Sequence, residues 1–318
     1  MKYIKFWQID AASPKVPRVE ISDDEYKTLS LARKKLVQIL DMEILYDQIV
    51  EACVETKSAM YEMSLRNVSD SRIGDSIKGH NIRSKLNRLY FNVLNLSKLY
   101  LDKHFFESGQ KPCDCDKQKK QSLKTQKSFV KAITGDDSLH SEVVVHRQAI
   151  YDANPDYRLG CALRNYVQHN TLPVETYTAG FKRHPDNQLQ SSVFHIPLDK
   201  EKLAKRINKT LLSEYGKTID LHSVVDGYVK AISEMHMLNR KLTEAASFES
   251  KCVIDGKVKE IIDEYAASVL GIEVIRKIGN SQSGFDLTTS WFDVVEHLQQ
   301  KNRKTLDFRR FSHHPYRD

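Results

Sequence analysis

A chain of 318 residues that is 40% hydrophobic and 29% charged has enough apolar material for a core and leaves wide solvated faces, which points to one large or two moderate domains. It holds no run of about 18 apolar residues, its start Met1-Lys2-Tyr3-Ile4-Lys5-Phe6-Trp7-Gln8 lacks the apolar stretch and cleavage site of a secretion signal, and its 5 cysteines are too scattered for a disulfide framework. No transmembrane helix, signal peptide or disulfide scaffold is thereby expected, a cytoplasmic protein is expected, and a net charge of +7 permits a polyanionic partner without requiring one.

Residues 1–20 read as a short strand or extended arm broken by Pro14 and Pro17. Ser22-Asp23-Asp24-Glu25 is a helix start with acids in the first turn. The helix it opens runs to about Arg66, with Leu29, Ala32, Leu36, Ile39, Leu40, Ile44, Leu45, Ile49 and Val50 as its apolar stripe. Asn67 to Gly79 is a polar loop. A second long helix spans about Asn81 to Phe106, with Ile82, Leu86, Leu89, Tyr90, Val93, Leu94 and Leu101 inward. A loop at Gly109 to Asp116 leads to a shorter helix over about Gln118 to Ala132. Gly135-Asp136-Asp137-Ser138 caps a helix over about Leu139 to Asp152, and Asn154-Pro155-Asp156 restarts the chain as a helix over 156–170. Antiparallel helices joined by such loops make a bundle.

After Pro173 the composition turns β-branched and aromatic, and the segments around the polar stretch His184 to Gln190 predict a β-hairpin over 174–197. Helices return over Lys200–Tyr215, about Leu221 to Ser247 and about Gly256 to Leu270. Glu273 to Ile278 is a candidate strand, and from about Trp291 a last helix leads into a basic tail. The expected fold is mainly α: a helical bundle with a small hairpin over 1–198, then a helical C-terminal region over 199–318.

The most informative string is Arg164-Asn165-Tyr166-Val167-Gln168-His169, at the end of the 156–170 helix. Arg neutralises phosphate oxygens through a planar fork of donors. His exchanges protons near neutral pH, and Asn can fix the His ring or bind an oxygen. At ~100° per residue Arg164 and His169 stand ~140° apart around the helix, whereas Asn165 and His169 share a face. Leu159, Ala162, Leu163, Tyr166 and Val167 cluster on the side expected to face the core. Asn170 is expected in a left-handed cap, and Pro173 forbids continuation. One helix closes poorly around one phosphate from both edges of this sector. Two copies facing across a two-fold axis would close it better, which predicts a homodimer.

The string resembles the Arg-polar-x-x-x-His motif of the HEPN superfamily, all-helical domains that are often metal-independent ribonucleases. Arg164, Asn165 and His169 fall on its three positions, and the match covers only part of one helix. The resemblance implies a HEPN-like antiparallel helical bundle, catalytic roles for these three residues, a composite active site built by two domains, no cofactor, and a toxin or anti-phage role with an antitoxin or sensor protein as a further partner. A second Arg-to-His spacing, Arg309 to His314, lies in the basic tail with no periodicity to hold it.

Charge is concentrated in two places. Lys111, Lys117, Lys119, Lys120, Lys124, Lys127 and Lys131 crowd one segment. Arg303, Lys304, Arg309, Arg310 and Arg317 crowd the tail, interleaved with Phe308, Phe311 and Tyr316. Basic and aromatic residues together suit single-stranded nucleic acid, so Lys119, Lys120, Lys124, Arg309 and Arg310 are the expected RNA-binding residues. A solvated face for the lysines, and a tail packed on its own domain through Phe308 and Phe311, are the plainer alternatives. Cys113-Asp114-Cys115, with His104 and His140 on either side, lacks the second pair a zinc site needs. His146-Arg147 is a further candidate wall of the motif cleft. His236 reads as a surface or satisfied interior histidine. No phosphate loop or dinucleotide fingerprint occurs. The expected activity is metal-independent RNA cleavage by 2′-hydroxyl attack, leaving 2′,3′-cyclic phosphate and 5′-hydroxyl ends. The alternative is a non-catalytic RNA- or partner-binding helical module.

Overall fold

A computed structural model describes residues 1–8, 16–69, 75–108, 125–183, 190–265 and 269–308. In chain order the elements are strands β1 (Lys2–Gln8) and β2 (Arg18–Glu20), helices α1 (Asp23–Ser69) and α2 (Ser76–His104), strands β3 (Phe105–Ser108) and β4 (Thr125–Ser128), and helices α3 (Phe129–Thr134), α4 (Asp137–Ala153) and α5 (Pro155–His169). There follow strands β5 (Thr178–Arg183), β6 (Gln190–His195) and β7 (Pro197–Leu198), helices α6 (Lys200–Leu203) and α7 (Lys209–Ser213), strand β8 (Ile219–Asp220) and helix α8 (Leu221–Tyr265). Strands β9 (Val269–Ile278) and β10 (Ser281–Asp286), a 3-10 turn at Ser290–Phe292 and helix α9 (Asp293–Lys301) complete the set. The protein is mainly helical with a small antiparallel sheet. Among the described residues no helix is long and apolar enough to cross a membrane.

The chain forms two compact units, each gathered from distant segments. One holds Met1–Ile44, Phe129–Leu139 and Arg240–Arg303. The other holds Leu45–Ser128, His140–Asn239 and Lys304–Asp318. Helices α1 and α8 contribute residues to both.

The first unit contains the four-stranded antiparallel sheet, ordered β10-β9-β1-β2. Ile4 stands opposite Val274 on β9 and Val19 on β2. Ile4, Phe6, Val274 and Ile275 are buried, as are Leu29, Leu36, Ile39 and Met42 of α1 and Ile254 and Ile261 of α8. The start of α1 is a reciprocal capping box: Glu25 N–H donates to Ser22 Oγ at 3.1 Å, and Ser22 N–H donates to the Glu25 carboxylate at 3.1 Å. Strand β10 escapes sequence reading because Ser281-Gln282-Ser283-Gly284-Phe285-Asp286 has no apolar alternation and is mostly exposed. It forms as an edge strand on β9 through a tight turn in which Gly279 takes φ +56°, a value that favours glycine.

Several expected boundaries move. α1 continues past Asn67 to Ser69, and α2 starts at Ser76, where the Asp75 carboxylate accepts from Ile77 N–H at 2.8 Å and Lys78 N–H at 3.2 Å. α2 stops at His104. The expected helix over Gln118 to Ala132 is replaced, within the described residues, by β4 paired with β3 and by the short α3. Lys200–Tyr215 is two short helices rather than one. α6 stops at Leu203, and Asn208 opens α7 by accepting from Thr210 N–H at 2.9 Å. No break occurs before Gly256: one glycine costs about 1 kcal/mol in a helix, too little to interrupt α8 with Ile254 and Ile261 buried on it. Ile44 is exposed, and the α1 stripe passes instead through Met42, Glu43 and Tyr46.

The second unit is built around fully buried tyrosines: Tyr46, Tyr90, Tyr100, Tyr157 and Tyr228. A buried phenol needs a hydrogen-bond partner, and three of these hydroxyls have one from the set that follows. Tyr46 meets Ser233 Oγ at 2.7 Å, Tyr90 meets His222 Nδ1 at 2.8 Å and Tyr100 meets His236 Nδ1 at 3.0 Å. His236 is therefore an interior histidine, stacked on Tyr46 with ring centroids 3.9 Å apart. Asn239 donates its amide to Tyr100 Oη at 3.0 Å and to His104 Nδ1 at 2.8 Å. Accepting at Nδ1 leaves the proton of His104 on Nε2.

Burial first, then the nearby positive charge of Arg147, lowers the His104 pKa from the usual histidine value to about 3. The unfolded chain therefore binds a proton near pH 6.5 that the folded chain refuses. This contribution is complete above pH 6.5 and is lost as pH falls toward 3. By pH 5 it amounts to about 2 kcal/mol of lost stability. Urea unfolding of wild type and His104→Phe at pH 7 and pH 5 measures it. The variant should show a drop smaller by that amount, and equal drops in both proteins would refute the assignment.

Candidate functional site

Helix α5 is fixed at both ends by its own side chains. Asn154 accepts from Tyr157 N–H at 3.1 Å, and Pro155 occupies the first turn, where a missing N–H costs nothing. At the other end Asn170 has φ −128°, so the expected left-handed cap does not form. Its side-chain amide donates to Tyr166 O at 3.0 Å instead, and its backbone N–H reaches the same carbonyl at 2.9 Å. His169 thus sits in a well-anchored last turn.

The buried face of α5 carries Asp156, Tyr157, Leu159, Gly160, Leu163 and Val167. Ala162 and Tyr166, expected inward, are half-buried and line a cleft. Gly160 lies against Tyr228, and a Cβ there would meet the ring at 2.4 Å, so any other residue would push α5 off α8. Gln168 donates to Asn95 Oδ1 of α2 at 2.8 Å. Arg158 donates to the carbonyls of Tyr151 at 2.6 Å and Asp152 at 2.8 Å and pairs with the Glu214 carboxylate. Its charge is therefore consumed in holding α4, α5 and the segment after α7 together.

These anchors leave an open concavity of about 640 Å³. Its α5 wall presents Cys161, Asn165, Tyr166 and His169, and the facing wall is the segment Arg206–Leu211. His169 is exposed, and its ring makes no hydrogen bond or ion pair among the described residues, which leaves both nitrogens available for proton transfer. Asn165 does not orient His169. Its carbonyl accepts from Arg164 Nη1 at 3.2 Å, which leaves its amide free toward the cleft. Arg164 is half-buried beside the cleft and does not line it; its Nε is buried with no hydrogen-bond partner among the described residues. Burial holds the Cys161 thiol above its usual pKa, so it stays protonated and is no nucleophile. Neither His146 nor Arg147 lines the concavity; Arg147 acts on the interior through His104.

Arg206 was not visible as a site residue. Its guanidinium is exposed, faces the cleft and has no carboxylate partner among the described residues. Lys205-Arg206-Ile207-Asn208-Lys209 reads as part of one polar helix, whereas Arg206 lies in the turn between α6 and α7, and Asn208, a helix-capping residue type, is the one local sign of that break. Lys119, Lys120, Lys124, Arg309 and Arg310, the Arg309 to His314 spacing and Cys113-Asp114-Cys115 lie outside the described residues. The start of the tail packs on the second unit: Leu306 N–H donates to Ser233 Oγ at 2.8 Å, Asp307 pairs with Lys230 at 3.0 Å, and Lys57 stands 5.0 Å over the Phe308 ring.

The fold and the site define a mainly helical protein with a small antiparallel sheet and a cleft that carries a histidine unengaged among the described residues. No family model, curated protein or solved structure matches the chain.

Proposed function

We propose that this chain is a metal-independent endoribonuclease of the HEPN type, acting through Arg164, Asn165 and His169. The observation that carries the reading is the cleft itself: among the described residues, an unengaged imidazole and a free amide on one wall, an unpaired guanidinium from Arg206 on the other, and the half-used guanidinium of Arg164 at the edge. That set suits a phosphodiester flanked by a 2′-hydroxyl. His169 takes the 2′-hydroxyl proton as the 2′-oxygen attacks phosphorus, and the bond to the 5′-oxygen breaks. Arg164 and Arg206 offset the charge growing on the phosphoryl oxygens, and the leaving 5′-oxygen collects a proton. A single His169 serves one of these transfers at a time. A second copy of α5 across a two-fold axis supplies the other and closes the gap between Arg164 and His169.

Incubating the protein with single-stranded RNA and excess chelator tests this. The expected products end in 2′,3′-cyclic phosphate and 5′-hydroxyl. Binding without cleavage would favour the non-catalytic RNA-binding module. Sedimentation of the purified chain checks the pairing: a dimer is expected at the concentrations that support cleavage, and a monomer that cleaves at full rate would remove the composite site. The toxin or anti-phage role, with its antitoxin or sensor, rests on the resemblance of the motif alone.

A further inference from the structure

The outer face of α2 carries a second feature. His80, Arg83, Ser84, Asn87, Arg88 and Phe91 recur at the spacing of one helical face. All six, with Leu172 from the segment after α5, line a concavity of about 370 Å³. Asn87, at its floor, is buried, its amide spent on Val174: it donates to Val174 O at 3.0 Å and accepts from Val174 N–H at 2.7 Å. Leu172 is thereby held against the helix. A solvated helix face ordinarily carries mixed charges in ion pairs. This one does not. His80, Arg83 and Arg88 are exposed and have no carboxylate partner among the described residues, whereas Lys85, on another side of the same helix, pairs with Glu62 at 3.0 Å. Phe91 is half-buried, with part of its ring open to the concavity.

We infer that this face of α2 is the track along which single-stranded RNA reaches the cleft, an inference that rests on the ribonuclease reading above. Among the described residues the charges lack a carboxylate partner, as a polyanion site requires, and an aromatic ring stands among them, as unpaired bases require and a duplex does not. The direction follows from the chain. One turn beyond Phe91 on the same face, Asn95 receives the hydrogen bond from Gln168, the residue before His169. From His80 to Asn95 the stripe is ~22 Å long at 1.5 Å per residue. Arg83 and Arg88 hold phosphates and Phe91 stacks a base.

The test uses the full chain with His169→Ala, which cannot consume its ligand on this reading, and a fluorescent unstructured oligouridylate followed by anisotropy. Arg83→Gln with Arg88→Gln should weaken binding at least 10-fold and flatten the dependence of log affinity on log salt by about 1.4, two phosphate contacts at ~0.7 each for a single strand. Phe91→Leu should weaken it several-fold and leave the salt slope unchanged. These exposed or half-exposed substitutions keep the α2 core, which a thermal melt confirms. Unchanged affinity in the arginine double variant overturns the track, and so does equal binding of polyglutamate of matched charge, which would make the face a docking site for an acidic protein. Cleavage by the wild type decides the ribonuclease reading separately: track-dependent binding without cleavage keeps the track and removes the nuclease, and cleavage with track-independent binding does the reverse.

Discussion

His169→Ala is expected to lower RNA cleavage by roughly 100- to 10,000-fold, the range general acid–base help supplies. Arg164→Ala should cost on the order of 100-fold or more, as the loss of a charge-stabilising donor does elsewhere. The two losses should combine to less than their product, because both side chains serve one phosphate. Arg164 and Asn165 are joined by a hydrogen bond, so Asn165→Ala should mimic part of the Arg164 defect by freeing its guanidinium. Rates are to be compared at saturating RNA in the presence of chelator. A 2′-deoxy substitution at the cleaved position should abolish the reaction, because the attacking oxygen is then missing. Undiminished cleavage by His169→Ala, or activity that returns only with added magnesium, would refute the mechanism. Because His169 is exposed in the last turn of α5 and its ring makes no hydrogen bond or ion pair among the described residues, its removal should leave the melting temperature nearly unchanged, which separates lost chemistry from lost fold.

The helices that could be read in the sequence are those whose ends carry local chemistry. Ser22 with Glu25, and Asn154 with Pro155, announce α1 and α5, and the structure keeps both starts within a residue. What could not be read depended on tertiary partners. β10 is a strand only because β9 offers it a ladder. Gly256 fails to break α8 because buried neighbours outweigh its propensity. Of the cleft, Asn165 and His169 were legible from their spacing. Arg206 was not, since it lies in the turn between α6 and α7 and faces α5 across the cleft only through folding. The stripe on α2 was hidden for a different reason. Unpaired and paired cations look alike in a sequence, and Arg83 differs from Lys85 only in what stands opposite.

The largest stability effect should come from a pair whose signal is equally silent. Glu43 on α1 is fully buried, and Arg240 on α8 grips it with two donors, Nε reaching Oε1 at 2.8 Å and Nη2 reaching Oε2. The remaining Nη1 donates to Asn302 O at 2.7 Å, just past α9, and Gln299 donates to Glu43 Oε1 at 3.3 Å. Arg240 therefore ties three elements of the first unit to one buried carboxylate. Such a pair gives little or no net gain over a well-packed apolar replacement, because two ions must leave water to form it. Breaking one side is another matter, for the surviving charge keeps its desolvation cost and loses its partner. Arg240→Ala is expected to destabilise the protein by about 3–5 kcal/mol, a large share of the ~5–15 kcal/mol that holds a domain together. Arg240→Lys should recover only part of it, since one ammonium cannot span both carboxylate oxygens and the Asn302 carbonyl. The double replacement Glu43→Leu with Arg240→Met should cost far less than Arg240→Ala alone, and denaturant unfolding of the wild type and the three variants measures the difference. A loss below about 1 kcal/mol for Arg240→Ala would place the pair with exposed surface bridges and overturn this account. No cleft residue belongs to this unit, so Arg240→Ala should cleave RNA at the wild-type rate at temperatures where it remains folded. Arg164→Ala should show the opposite pattern, a protein that is stable and inactive.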